Sequence, residues 1–193
     1  MNHETLSHRH FKLYKPAQYL SQFIYEQKRQ KKLLGELYDF PTSTMAVGRL
    51  DENSEGLLLL TTDGKLSHYI LSGKVEKEYY VQVDGNMTED AIDELKRGVV
   101  IGFHGKKYKT LPCEARRLHE VPRLPDGWKV RDERHGPTSW ASITIREGKY
   151  RQVRKMTAAV GFPTLRLVRM RVGKEHLDNL QPGQVEEVDE FNL

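Results

Sequence analysis

The sequence predicts an α+β fold with a mostly antiparallel or mixed central sheet flanked by helices. Three observations carry that expectation. Segments with strand-like alternation outnumber helical ones, several are joined by short Gly- and Asp-containing turns, and the helical segments are short and separately capped. A chain of 193 residues suffices for one sizeable core or for two small lobes sharing one sheet. We expect the second arrangement, with a cleft between the lobes.

Along the chain, residues 1–10 read as a mobile tail in which His3, His8 and His10 are dispersed. Residues 18–34 carry apolar positions at Tyr19, Leu20, Phe23 and Ile24, then a basic run from Lys28 to Lys32, and read as a short helix or an irregular segment. Residues 45–50 and 57–62 read as strands around the polar, turn-forming stretch Asp51-Glu52-Asn53-Ser54-Glu55-Gly56. Asp63-Gly64 closes the second strand, and a helix over Lys65–Leu71 follows. Lys77–Val83 alternates, placing Lys77, Tyr79, Val81 and Val83 on one face.

Thr88 then reads as an N-cap. Glu89 and Asp90 fill the first turn of its helix, Lys96 and Arg97 the last, and Gly98 stops it. Residues 120–138, polar and containing three prolines and two glycines, read as a long loop. Trp140–Arg146 reads as a strand broken by Gly148. Arg151–Val160 fits a helix with Val153, Met156 and Val160 on one stripe and Arg151 and Lys155 opposite. Gly161 and Pro163 end it. Val168, Met170 and Val172 share one face of the last long strand, and Arg169 and Arg171 share the other.

Composition removes several classes. The longest apolar run, Leu57–Leu60, falls far short of the roughly 20 residues that span a bilayer, and no signal-type segment opens the chain. We therefore expect a cytoplasmic protein with no membrane partner. The single cysteine, Cys113, forbids an internal disulfide and a cysteine-based zinc site. Net charge is only +4, but the region from Lys96 to Arg171 holds 19 Lys/Arg against 6 Asp/Glu. That concentration suits either a polyanionic partner or a solvated basic face.

Three features can carry chemistry. Gly48-Arg49-Leu50-Asp51 puts a carboxylate where a strand exits into a polar loop; such a residue is a turn cap or an active-site acid. The run Glu147-Gly148-Lys149-Tyr150-Arg151-Gln152-Val153-Arg154-Lys155-Met156 belongs to a stretch, Arg146 to Arg171, with eight basic residues and one acid. Its glycine turn can meet a phosphate. Lys149, Arg151, Lys155, Arg169 and Arg171 form an array able to follow a nucleic-acid backbone. Arg154 lies at the edge of the apolar stripe, where a cation can reach inward to a carboxylate. Tyr79 is a core tyrosine or an aromatic plate for an extruded base.

These segments resemble the pseudouridine synthase superfamily, in its bacterial branch that modifies single uridines of ribosomal RNA. The stretch GRLDENSEGLLLLTTDG resembles the block that contains the family's catalytic aspartate. KEYYVQV resembles the Lys-x-Tyr strand, and EGKYRQVRKMTAAVGFPTLRLVRMRVG the C-terminal block. The blocks follow the family's order, and the similarity runs from about Phe11 to Val188. Many relatives carry a small basic domain ahead of the catalytic one. Here residues 11–193 read as the catalytic domain without it, which resembles the large-subunit ribosomal RNA synthases of the E type, as does Pro137-Thr138-Ser139-Trp140. Thr61-Thr62-Asp63-Gly64 and Tyr14-Lys15-Pro16 stand where the family commonly has Thr-Asn-Asp-Gly and Asn-Lys-Pro.

The resemblance implies site-specific isomerisation of a uridine in 23S ribosomal RNA, with no cofactor and no metal. It implies Asp51 as the catalytic residue and Arg154 as its partner. Arg49 would meet the RNA at the flipped nucleotide, and Tyr79 would stack on the base. We also expect a monomer. Two other classes explain part of the sequence: a non-catalytic RNA-binding assembly factor, needing only the basic region, and a glycoside hydrolase pairing Asp51 with Glu55.

Overall fold

The computed structural model describes residues 7–24 and 30–193, with the backbone alone at Glu133. Strand β1 spans His10–Lys15. β2 (Met45–Val47) and β3 (Glu55–Thr61) follow, then helix α1 (Gly64–Leu71), β4 (Lys77–Asp84) and α2 (Glu89–Arg97). A hairpin of β5 (Val100–Phe103) and β6 (Lys106–Lys109) precedes β7 (Glu114–Leu118) and β8 (Thr138–Ile145). Helix α3 (Gln152–Ala159), β9 (Thr164–Val172), the short β10 (Glu175–His176) and β11 (Val185–Val188) complete the chain.

The caps explain where the first two helices start. Asp63 Oδ1 accepts from the Lys65 and Leu66 amides at 2.8 and 3.2 Å, and Thr88 Oγ1 accepts from Ala91 N at 3.2 Å. Gly98, at φ 85°, ends α2 in a conformation costly for any side chain.

The large sheet runs β11-β1-β3-β9-β4-β8-β7, with β2 beside β3 and β10 beside β9. It is mixed, as the alternation predicts. Every pairing is antiparallel except β3 with β9, which run parallel through Glu55–Val168 and Gly56–Arg169. That short seam joins two antiparallel halves. One half centres on β1, β3 and Leu57, Leu59 and Val168; the other packs α2 and α3 on β4 and β8 through Val81, Ile92, Leu95, Ile143 and Met156. Gly56 makes the seam possible: at φ 103°, an added Cβ would lie 2.3 Å from the Arg169 carbonyl oxygen.

Several expectations change. The tail expected over residues 1–10 is held from His8 onward. His8 meets Thr62, Arg9 pairs with Glu187 at 2.6 Å, and His10 begins β1 with its ring on Thr61 Oγ1; residues 1–6 lie outside the described part. A buried strand needs its backbone paired, and pairing with β3 and β11 orders its start. In residues 18–34 the described part is irregular, with a single bridge between Tyr19 and Lys32. The first predicted strand stops at Val47, because Gly48 takes φ 69°. β8 is buried on both faces, being central between β4 and β7. No helix among the described residues is long and apolar enough to cross a membrane.

Candidate active site

Asp51 leaves the sheet between β2 and β3, and its backbone is fixed on both sides. Ser21 Oγ accepts from Leu50 N at 3.0 Å and donates to Leu50 O at 2.8 Å. The Glu52 carbonyl accepts from Gln18 N at 2.7 Å and from Lys15 Nζ at 3.2 Å. Leu50 is buried in the same cluster as Tyr79 of β4 and Val153 and Met156 of α3. The loop is thus rooted in both halves of the sheet, which gives the carboxylate a defined place.

The Asp51 side chain is about a quarter exposed and faces two guanidinium groups. Arg151 Nη1 lies 3.2 Å from Oδ2, and Arg154 Nε 3.6 Å from the same oxygen. Arg154 is the more enclosed, with Nη2 donating to Ser54 Oγ at 3.0 Å and to the Asn53 carbonyl at 3.4 Å. Burial and then the Arg151 charge push the Arg154 guanidinium below its ordinary value, while Asp51 and Glu55 raise it. The inward-reaching cation expected at Arg154 is therefore beside Asp51, with Arg151 as a second.

Arg151 starts α3 in the left-handed region, at φ 52° and ψ 34°. The turn before it is locked by Gln152, which is buried. Its Oε1 accepts from Lys149 N at 3.0 Å, and its Nε2 donates to Glu147 at 2.8 Å. Glu147 also takes the Tyr108 hydroxyl and the Leu111 amide, tying the β5–β6 hairpin to the turn.

The remaining basic residues divide. Arg49 is exposed. Lys149 Nζ sits 5.2 Å from the ring centroids of Phe103 and Tyr108, and Lys155 Nζ donates to Gly102 O at 2.8 Å, so both face the hairpin. Arg169 and Arg171, expected as a second basic row, are spent inside the protein. Arg169 is 1% exposed and donates to Leu57 O at 2.7 Å and Gly48 O at 2.8 Å. Arg171 binds Glu76, Glu78 and Gly173 O. Alternation along β9 separates its faces correctly, but the strand is interior to the sheet, so neither face is open water.

Tyr79 is 8% exposed and lies in the core beside Leu50. Its strand neighbours are Ile143 on β8 and Arg169 on β9. The pairing of Asp51 with Glu55, needed for a glycoside hydrolase, does not form. The Glu55 side chain is 1% exposed and held by Arg166 Nε and Nη2, both at 3.0 Å, and by Trp128 N at 3.2 Å. A carboxylate bound on both oxygens inside the protein is closed to a sugar.

Sequence reasoning passed over Lys15, Ser21, Gln152 and the Glu55–Arg166 pair. Lys15 is fully buried, with Nζ donating to Pro16 O and Tyr19 O at 2.7 Å; burial pulls its ammonium down to about 7. A lysine at a buried position of a strand, just before proline, was the available signal. The Glu55–Arg166 pair pins residues 125–128 of the long loop against the seam, and Arg166 Nη2 also donates to Pro125 O. A pocket of about 420 Å³ opens behind this loop, lined by Pro16, Gln18, Trp128 and Pro182 rather than by Asp51.

The site is thus a clamped aspartate beside two arginines, on a mixed sheet with a parallel seam. The family of RNA pseudouridylate synthases matches residues 9–159. The ribosomal large subunit pseudouridine synthase E of Xanthomonas campestris pv. campestris is 43% identical over 175 residues, covering 89% of this chain and 91% of that protein. The synthase of the same description from Vibrio parahaemolyticus is 43% identical over 180 residues, covering 90% and 71%. A crystal structure of a pseudouridylate synthase superposes with a TM-score of 0.72 at 28% identity, covering 94% of this chain and 70% of that one. Sequence and fold agree along nearly the whole chain, and the protein belongs to the RNA pseudouridylate synthase family.

Proposed function

We propose that the protein isomerises a specific uridine of large-subunit (23S) ribosomal RNA to pseudouridine, with Asp51 as the catalytic carboxylate. The observation that supports this best is the environment of Asp51: backbone held on both sides, one face open, and a largely enclosed arginine at its carboxylate. The relatives' descriptions as large-subunit synthases supply the RNA class.

In the reaction the bond from ribose C1′ to uracil N1 breaks, the base turns, C1′ bonds to C5, the C5 proton leaves, and N1 takes up a proton. Nothing is oxidised and no group is lost. Asp51 serves as the ionised carboxylate. Arg154 offsets the cost of partial burial and orients it. Extruding the uridine costs a few kcal/mol, and stacking returns about 1–3. Tyr79 is assigned to that stacking, and its hydroxyl assists the final proton removal without being required for it. Arg49 meets the flipped nucleotide. Lys149, Arg151 and Lys155, on the face shared with the β5–β6 hairpin, meet phosphates. Arg169 and Arg171 are withdrawn from that set. The reading carries with it a monomeric, cytoplasmic enzyme.

A non-catalytic assembly factor would need the basic face but not the clamped acid. Chemical mapping of pseudouridines in ribosomal RNA decides between the two. Cells lacking the protein should lose one large-subunit pseudouridine, restored by the wild-type gene; an unchanged map contradicts the proposal.

A further inference from the structure

Two guanidiniums address one oxygen of Asp51, and only one of them is free to leave. Arg151 is 41% exposed at its side chain, and Nη1 reaches Oδ2 at 3.2 Å. Arg154 is 14% exposed and stays on Ser54 Oγ and Asn53 O. Its Nε points at Oδ2 from 3.6 Å, beyond hydrogen-bond distance, and is buried with no other partner among the described residues. A buried N–H of a charged group left unpaired is a costly arrangement. It sits where a shift of a few tenths of an ångström by Asp51 would complete the bond.

We propose that Arg151 is an exchangeable counter-ion of Asp51. In the free protein it holds the carboxylate away from Arg154. In the RNA complex a phosphate takes Arg151, and Asp51 closes onto Arg154 Nε. The inference rests on the reading of Asp51 as the catalytic residue of an RNA-modifying enzyme. It adds that the free site is in an off position and that RNA itself turns it on.

Three further features fit. The left-handed backbone of Arg151 is unusual for a side chain of this size, and the Gln152–Glu147 bonds enforce it. That backbone aims the side chain back across the turn at Asp51 rather than outward along α3. Next, the Arg151 charge lies close enough to Arg154 to disfavour its protonated form, so moving Arg151 to a phosphate relieves a like-charge contact. Finally, only the exposed member of the pair can exchange water for phosphate without unmaking the interior. Asp51 and RNA therefore compete for Arg151, and competition is a coupling that binding can measure.

The test is a double-mutant cycle on RNA affinity. Arg151→Asn removes the charge and keeps a residue that tolerates the left-handed region. Binding of an in vitro 23S ribosomal RNA transcript is measured for wild type, Asp51→Asn, Arg151→Asn and the double variant at 0.15 M salt. With Arg151 present, Asp51→Asn should tighten binding about 2- to 5-fold, the range of a partly exposed ion pair. With Arg151→Asn, the same change should alter affinity by less than about 1.5-fold. An equal gain in both backgrounds would reflect only the lost negative charge and would overturn the proposal, as would no gain in either. Wild-type pseudouridine formation on the same transcript separates the two layers. Activity with an additive cycle sinks the counter-ion alone, and absence of activity sinks the reading beneath it.

Discussion

Arg169 donates from Nη2 to the Gly48 carbonyl and from Nε to the Leu57 carbonyl, at 2.8 and 2.7 Å. One buried guanidinium thereby ties together the two ends of the loop that carries Asp51. Removing it takes the guanidinium donor from both carbonyls. Arg169→Met should cost about 2–4 kcal/mol in urea unfolding. It should leave the salt dependence of RNA binding unchanged, since no phosphate contact is lost, whereas Arg151→Asn should flatten it. A flattened slope in Arg169→Met would return Arg169 to the phosphate set.

The parallel seam depends on Gly56. A Cβ there would meet backbone, the Arg169 carbonyl oxygen at 2.3 Å. Gly127 is a second tight place, but its Cβ would meet a side-chain atom, Glu55 Oε1 at 1.9 Å. Side chains yield where backbone does not. Gly56→Ala should therefore destabilise by more than about 3 kcal/mol, and Gly127→Ala by about 1–2, with faster proteolysis in residues 120–137. Equal losses in denaturant titrations would remove the seam's special status.

Two buried lysines give the fold a pH dependence of definite sign. Burial lowers Lys15 to about 7 and Lys77 to about 8; the Arg169 charge adds to the effect at Lys77. Above these values the folded protein has released protons that the unfolded chain keeps up to its ordinary lysine pKa. Stability should therefore rise with pH through this window and fall as pH drops toward 7. Lys77→Met should reduce the slope between about pH 8 and 10 by up to one proton, about 1.4 kcal/mol per pH unit. The same slope in both proteins would mean that Lys77 remains charged in the fold.

Tyr79 is nearly enclosed and shares its surroundings with Leu50, one residue from Asp51. If its ring is what matters, single-turnover rates should fall modestly in Tyr79→Phe and by about 10-fold or more in Tyr79→Ala, from the loss of about 1–3 kcal/mol of stacking. Equal loss in both would assign the role to the hydroxyl.

Much of the fold was legible because local signals agree with it. Thr88 and Gly98 bound α2 as their residue types require, and Lys77–Val83 places the alternating face in the core. What failed to read locally is set by long-range pairing. β1 is fully buried although it holds His10, Lys12 and Lys15, because two strands flank it and its charges find partners such as Glu175 at 3.2 Å from Lys12. The β5–β6 hairpin turns at His104 and Gly105, both at positive φ, without an alternation long enough to announce it. In the site, Arg154 was legible from its place at the edge of the helix stripe. Arg169 was not, since alternation tells which face a residue lies on but not whether that face meets water.

Asp51→Asn is the decisive variant. With ribosomal RNA tritiated at uridine C5, wild-type protein should release tritium to completion at its modified site. The variant should release none above background, while its affinity for the RNA stays within a few-fold of wild type and no weaker. Release by Asp51→Asn at the wild-type rate would contradict the assignment of Asp51 and, with it, the site built around that carboxylate.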